Sequence, residues 1–470
     1  MAEVIMPKMG DAMTEGTLLN WLKQDGDQVK SGDLIAVIET DKSNVEVEAE
    51  DTGVLSVRTK AGETVPVGAV IATIGGAGQS ANGASAVQTP APAAASASNG
   101  AKPDVSEPAG EGSEVRSPAQ EAQDIVAVLA KARPEPSTYT GELKSMSYRE
   151  AIRIALQEEL DRDENVFLLG EEIGQYQGTF KITQGFLETY GAERIVDTPI
   201  SEAGMVGMTV GAAMLGMRPV IEFMTLNFAL VAWDQIINHA AKIRYMSGGQ
   251  YSVPCVLRGP SGVGVQLSAQ HSQDLAHWYA NTPGLKVVVP ATPADAKGLL
   301  KSAIRDNNPV VFTEHAGLYG SKGDVPVDPE FTIPIGVAEV KRKGKDVTIV
   351  SYSRGTILSL AAAELLAAEG IDVEVVDLRS LMPLDVETII ESVKKTHRAV
   401  VVQEQWLYYG LAAEIVAQIT AEAFDYLDAP VERVAGAFVP MPYSRALELL
   451  ATPHENNIID AVKRTLARTV

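Results

Sequence analysis

The chain has 470 residues, enough for about three domains of ordinary size. Its formal net charge of -22 excludes the usual nucleic-acid-binding surface, which must be basic to displace phosphate counterions. A single cysteine, Cys255, excludes an internal disulfide framework and reads as a buried thiol.

The N-terminus, MAEVIMPKMG, runs straight into folded pattern without the basic-then-apolar layout of a secretory signal. The longest uncharged helical run, Ala203 to Met217, has 15 residues and is too short to span a bilayer, so it predicts a buried helix. A soluble, cytoplasmic protein with no membrane or nucleic-acid partner is expected.

Within the first 75 residues a pattern repeats. Gly26-x-x-Val29-x-x-Gly32-x-Leu34-Ile35-Ala36-x-Ile38 recurs 36 residues later as Gly62-x-x-Val65-x-x-Gly68-x-Val70-Ile71-Ala72-x-Ile74. Two copies predict a pseudo-two-fold β-sandwich, because each half needs the other to cover its apolar face. Between the copies, LIAVIE and the alternating VEVEAE flank a polar break, a hairpin signal with Lys42 at the tip. Taken alone, Lys42 reads either as a solvated surface lysine or as one displayed for modification.

Residues 75–100 carry no charge and are mostly Gly, Ala, Ser and Pro; the chain stays rich in Pro, Ala, Ser and Glu to about 144. Such a stretch cannot bury enough apolar surface to offset its ordering entropy and predicts a flexible linker. DIVAVLAKA (124–132) could form a short helix within it, either as a docking element or with no role.

Beyond the linker, Ser147-x-x-Glu150 is a capping-box signature ahead of AIRIALQEEL. VFLLG, IVD and PVIEF then read as strands between helical stretches, and DVTIVSY, DVEVVDL and AVVVQE repeat the theme. That alternation predicts mostly parallel sheets with helices on both faces, divided near residue 330. Gly370 is placed to stop the helix through SLAAAELLAAEG. Glu171 and Glu202 fall at carboxyl ends of predicted strands, where open parallel sheets bind ligands. Each also fits a plainer role, as a strand-end acid or as an acid favoured in the first turn of a helix. Gly207-x-x-x-Gly211 allows another backbone to approach, within the domain or from a second subunit. GPSGVGV (259–265) lacks the phosphate-loop Lys-Ser/Thr and receives no phosphate role. His271, in the loop after it, is either structural or a proton donor near neutral pH. His239 and Lys242 read as packing and surface.

Two resemblances sharpen these readings. MPKMGDAMTEGTLLNWLKQDGDQVKSGDLIAVIETDKSNVEVEAEDTGVL resembles a lipoyl domain, which implies that Lys42 carries lipoate in amide linkage. LGEEIGQYQGTFKIT, RIVDTPISEAGMVGMTVGAAM, EFMTLNFAL, WDQIINHAAKIRYMSGG, AQHSQD and SAIRDNNPVV resemble the beta-subunit family of the thiamine-dependent pyruvate dehydrogenases, from about residue 145 to 470. Together they imply a multidomain protein: an all-β lipoyl sandwich (1–75), a flexible linker (76–144), and two α/β domains. The latter are a transketolase-like pyrimidine-binding domain (145–330) and a transketolase C-terminal domain (331–470).

The resemblance also implies roles. Glu202 matches the glutamate that hydrogen-bonds a ring nitrogen of thiamine diphosphate, Glu171 a second acid near that ring, and Phe228 the aromatic packed on the pyrimidine. His271 matches a histidine at the mouth of the site, a proton donor when the lipoyl disulfide opens. Ala303, Ile304, Asp306 and Asn308, with the position of Cys255, match a potassium site of oxygen donors. The Gly-Asp-Gly and Asn-Asn pair that holds diphosphate and magnesium in the thiamine family is absent. The expectation is therefore half a cofactor site, completed by an alpha subunit in an α2β2 heterotetramer that acts on pyruvate and serves a dihydrolipoyl acetyltransferase core in a bacterial cytoplasm. Acetoin or a branched-chain 2-oxo acid as substrate, or a non-enzymatic lipoyl carrier or scaffold, are the alternatives.

Overall fold

The computed structural model describes residues 2–6, 15–39, 44–49, 51–75 and 139–468, which fall in two compact units. Lys42, most of the predicted linker and the 124–132 segment lie outside the described residues.

The N-terminal unit is a sandwich of two four-stranded antiparallel sheets. Its repeat is visible in the backbone. Gly26, Gly32, Gly62 and Gly68 all have φ between 84° and 93°, the left-handed region that favours glycine. Each turn is closed equivalently in both copies: Gly26 N–H donates to Leu55 O at 2.8 Å, and Gly62 N–H to Leu18 O at 2.7 Å. Ile35, Ala36 and Ile38 of one copy and Ile71, Ala72 and Ile74 of the other are buried in one core. Each buried isoleucine contributes roughly 1.5–3 kcal/mol, so the repeated triplets supply much of what holds so small a sandwich. The strands Leu34–Glu39 and Asn44–Glu48 pair antiparallel with Glu39 opposite Asn44.

The second unit carries two main sheets. In the larger, parallel strands Ile195–Asp197, Val166–Gly170, Arg218–Glu222, Val256–Ser261, Val310–His315 and Lys286–Val288 lie in that order, and Ser380–Met382 closes the edge antiparallel. Alternate residues of these strands face two different cores: Leu168, Val220 and Val256 on one side, Leu169, Ile221 and Leu257 on the other. Burial on both faces is what a parallel sheet sheathed by helices requires. The smaller sheet places Val373–Asp377, Val347–Ser351, Ala399–Trp406 and Glu432–Gly436 parallel, with Glu339–Arg342 antiparallel at its edge.

Local signals act where the sequence places them. The Ser147 hydroxyl accepts from Glu150 N–H at 3.2 Å at the start of the helix Tyr148–Arg162, the first half of the capping box. The helix Ser353–Ala368 ends as Gly370 turns to φ 85°. The small-residue helix Glu202–Met214 packs within the chain only in part. A Cβ at Gly207 would sit 3.4 Å from the Gln235 amide oxygen, whereas one at Gly211 would meet nothing within 4 Å.

Candidate active site

Four adjacent strands of the larger sheet deliver one residue each to its carboxyl edge. Glu171 directly follows Val166–Gly170, and Glu202 opens the helix beyond Ile195–Asp197. Phe228 opens the 3-10 turn Phe228–Ala232 beyond Arg218–Glu222, and His271 lies in the loop beyond Val256–Ser261.

The structure joins these residues in two pairs. The Phe228 and His271 rings meet edge to face, with centroids 5.0 Å apart and planes at 86°. Burial, and then the negative charges of Glu202 and Glu172, push the Glu171 carboxyl above its ordinary range. Glu202 itself is 8 % exposed and has no hydrogen-bond or ion-pair partner among the described residues. The favourable field of a helix N-terminus is worth about 0.3–1 kcal/mol. The side chain is largely buried, yet its carboxylate oxygens are not sealed from solvent and stay open to a donor on a bound molecule.

Residues not singled out in the sequence hold the frame. The Asp197 carboxylate accepts from Gly174 N–H at 2.6 Å and Gln175 N–H at 2.9 Å, fixing the loop after Glu171. Thr225 Oγ1 donates to Asn227 Oδ1 at 2.7 Å, and Asn227 Nδ2 donates to Gln273 Oε1 at 2.8 Å, tying the loop of Phe228 to that of His271. Asn227 and Gln273 stand inside the stretches FMTLNF and AQHSQD; their pairing needs the fold. Beneath the edge, the buried Arg258 holds Glu314 through Nε at 2.6 Å and Nη2 at 2.9 Å and also binds Glu222. Burial, and then the nearby Glu314 charge, raise the Glu222 carboxyl against the pull of Arg258. His239 and Lys242 make helix-surface contacts to Asp234 and Asn238.

The oxygen donors around 303–308 gather on Arg218. Its guanidinium donates to the carbonyls of Ile304 and Asp306, both at 3.0 Å, and to Asn307 Oδ1 at 2.6 Å. Asp306 Oδ1 accepts from the Asn308 side chain at 2.9 Å, and the Ala303 carbonyl accepts from Asp306 N–H at 3.3 Å. Cys255 is buried, which pushes its thiol up to about 12, and its carbonyl accepts from Val310 N–H. Among the described residues no three His, Cys, Asp or Glu side chains converge as metal ligands.

Residues 144–322 match the family described as Transketolase, pyrimidine binding domain, residues 336–458 that described as Transketolase, C-terminal domain, and residues 2–74 that described as Biotin-requiring enzyme. A pyruvate dehydrogenase E1 component subunit beta from Rhizobium meliloti (strain 1021) is 49% identical over 98% of this chain and 98% of its own length. The chain belongs to the pyruvate dehydrogenase E1 beta-subunit family. Further family members include the mitochondrial subunit of Dictyostelium discoideum, 54% identical over 70% of this chain and 94% of its own. That of Rickettsia conorii (strain ATCC VR-613 / Malish 7) is 53% identical over 68% of this chain and 98% of its own. The solved "Split gene transketolase, inactive beta4 tetramer" has a TM-score of 0.57 and 25% identity, and covers 69% of this chain and 99% of that one. The Rhizobium meliloti relative spans the N-terminal sandwich as well as the α/β unit, whereas the other two match over about two thirds of this chain. No helix among the described residues is long and apolar enough to cross a membrane.

Proposed function

We infer that this chain is the beta half of a thiamine diphosphate-dependent pyruvate dehydrogenase, which decarboxylates pyruvate and passes the acetyl group to lipoyl sulfur. The observation that carries the reading is the largely buried Glu202 side chain at the carboxyl edge, without a partner among the described residues, beside Glu171 and the Phe228–His271 pair. These residues fit an aminopyrimidine: Glu202 to hold a ring nitrogen by a charge-assisted hydrogen bond, Phe228 to cover a ring face. When bound, thiamine diphosphate supplies the carbon nucleophile and the electron sink for decarboxylating a 2-oxo acid. Glu171, its carboxyl raised by burial, holds a proton more readily than an ordinary glutamate. His271 gives a proton to the sulfur released as the lipoyl disulfide opens.

Among the described residues no cluster of acidic, His or Cys side chains fits a resident magnesium. Diphosphate and its metal are assigned to an alpha subunit in an α2β2 tetramer. The exposure of Ile200 (81 %) and Leu215 (87 %), which flank the helix Glu202–Met214, supports a partner on that side. Potassium is proposed at Ala303, Ile304, Asp306 and Asn308 with the position of Cys255, where it would share the Ile304 and Asp306 carbonyls with Arg218. Lys42 is proposed as the lipoate attachment site, serving itself or the acetyltransferase core, and the bacterial cytoplasm is the proposed compartment.

The test is pyruvate-dependent acetylation of the lipoylated chain, alone and with its alpha subunit, read as mass on the Lys42 peptide. Acetyl-dihydrolipoyl mass only with both subunits supports the reading. No acetyl mass anywhere and no decarboxylation by the assembled tetramer would overturn it.

A further inference from the structure

The loop that carries His271 is held by carboxylates from the other α/β half of the same unit. After the strand Val256–Ser261 the chain passes through Gly262 and Gly264, at φ 86° and 93°, then Gln266 and Ser268, at 57° and 64°. Two non-glycine residues in the left-handed region are strained and persist only where the surroundings hold them. Val263 N–H donates to Glu404 Oε1 at 2.8 Å. Gly264 N–H and Gln266 N–H both donate to Glu448 Oε1, at 3.1 and 3.0 Å. The Val263 side chain packs with Met441 and Ala451.

The two carboxylates are not equivalent. Glu404 has other partners: the His315 imidazole at 3.0 Å and Arg354 Nη1 at 2.9 Å. Glu448, on the helix Arg445–Ala451, is 1 % exposed, and the two loop amides are its side-chain partners among the described residues. The buried carboxylate thus depends on two loop amides that themselves reach solvent, and it is Glu448 that is left unpaired if the loop moves away. The second contact falls on Gln266, just before the turn in which His271 N–H donates to Ser268 O at 3.4 Å.

We propose that Glu448 is a positioning residue: by holding the Gly264 and Gln266 amides it sets the loop that presents His271 against Phe228. This rests on the role given to His271 above. The glycine-rich stretch GPSGVGV thus has its anion already, supplied by the chain's own Glu404 and Glu448.

The test uses the assembled holoenzyme with its alpha subunit and lipoylated Lys42. Amide hydrogen exchange of residues 262–271 is measured together with separate rates for pyruvate decarboxylation and lipoyl acetylation. Glu448→Ala is expected to speed exchange of that segment and lower the kcat of lipoyl acetylation, each by about tenfold, with the KM for pyruvate within about twofold. A double variant with His271→Ala is expected to be no slower than His271→Ala alone. Glu448→Gln, which keeps an acceptor oxygen, is expected to recover part of both, and it carries the test if the alanine variant does not assemble. Unchanged exchange, or losses that multiply in the double variant, would overturn the proposal. If the parent enzyme does not decarboxylate pyruvate the functional reading fails, and the exchange result still decides whether Glu448 holds the loop.

Discussion

The Phe228 ring stands edge-on to the His271 imidazole, 5.0 Å away, although the two residues follow different strands of the sheet. A ring in that position limits the directions in which the imidazole can point. His271→Asn should therefore cut lipoyl acetylation by about a hundredfold while leaving decarboxylation within a fewfold, the split expected when one proton donor is lost. Phe228→Leu should lower both rates, because the same ring is assigned to the cofactor. Assays of the two half-reactions separate the cases; equal loss in both for His271→Asn would contradict its placement.

Glu171 reports on Glu202. Its carboxyl is raised first by burial and then by the charges of Glu202 and Glu172. Glu202→Gln removes one of the two charges and leaves the burial. The Glu171 pKa should fall yet stay above the ordinary glutamate value. A carbon-13 titration of the side-chain carboxyl in the parent and the variant checks this, and an unmoved Glu171 would mean that the two acids do not sense each other.

Arg258 is 1 % exposed and holds two carboxylates, Glu222 and Glu314, with Tyr319 Oη donating to Glu314 at 2.7 Å. Removing the cation leaves both acids buried without their counter-charge. Arg258→Met should destabilise the chain by about 3–5 kcal/mol, the usual range for breaking a buried ion pair on one side. Denaturant unfolding gives the number. A midpoint shift below about 1 kcal/mol would mean that solvent reaches these groups.

Glu404 makes stability depend on acid. Burial pushes its carboxyl up, but the His315 and Arg354 charges and their hydrogen bonds outweigh that and bring it to about 2. The unfolded value is near the ordinary 4.5. A depressed carboxylate stabilises the fold fully above its unfolded pKa and loses that contribution as pH falls through its folded one. Between pH 5 and 2 the chain should lose roughly 3 kcal/mol through this group. Glu404→Gln should lower stability at pH 7 and flatten the slope in that window; an unchanged slope would exclude Glu404 as its source.

Much of the fold was legible because local chemistry decided it. The repeated glycines mark positive-φ turns, and the repeated Ile-Ala-x-Ile triplets mark the core of the sandwich. Gly370 and Ser147 act at the helix ends where they stand. Glu171, Glu202 and His271 stand out by their places after predicted strands, Phe228 through the resemblance alone, and sheet order explains why they meet: their strands are neighbours. What the sequence hid depends on distant pairing. Nothing near Glu404 or Glu448 says that their partners lie 141 to 184 residues earlier. Nothing in Ser380–Met382 says that it pairs with Lys286–Val288 and extends the larger sheet. That Glu202 has no partner among the described residues is likewise a property of three-dimensional surroundings, which a first-turn acid does not reveal.

The most direct measurement is carbon dioxide release from labelled pyruvate by three samples supplied with thiamine diphosphate and magnesium: the chain alone, the chain with its alpha subunit, and the same tetramer carrying Glu202→Gln, with assembly checked by mass. Release from the second sample only, with the variant tetramer intact and slowed by about a thousandfold or more, is the predicted result. Release by the chain alone, or an undiminished rate in the Glu202→Gln tetramer, would contradict a split site built on Glu202.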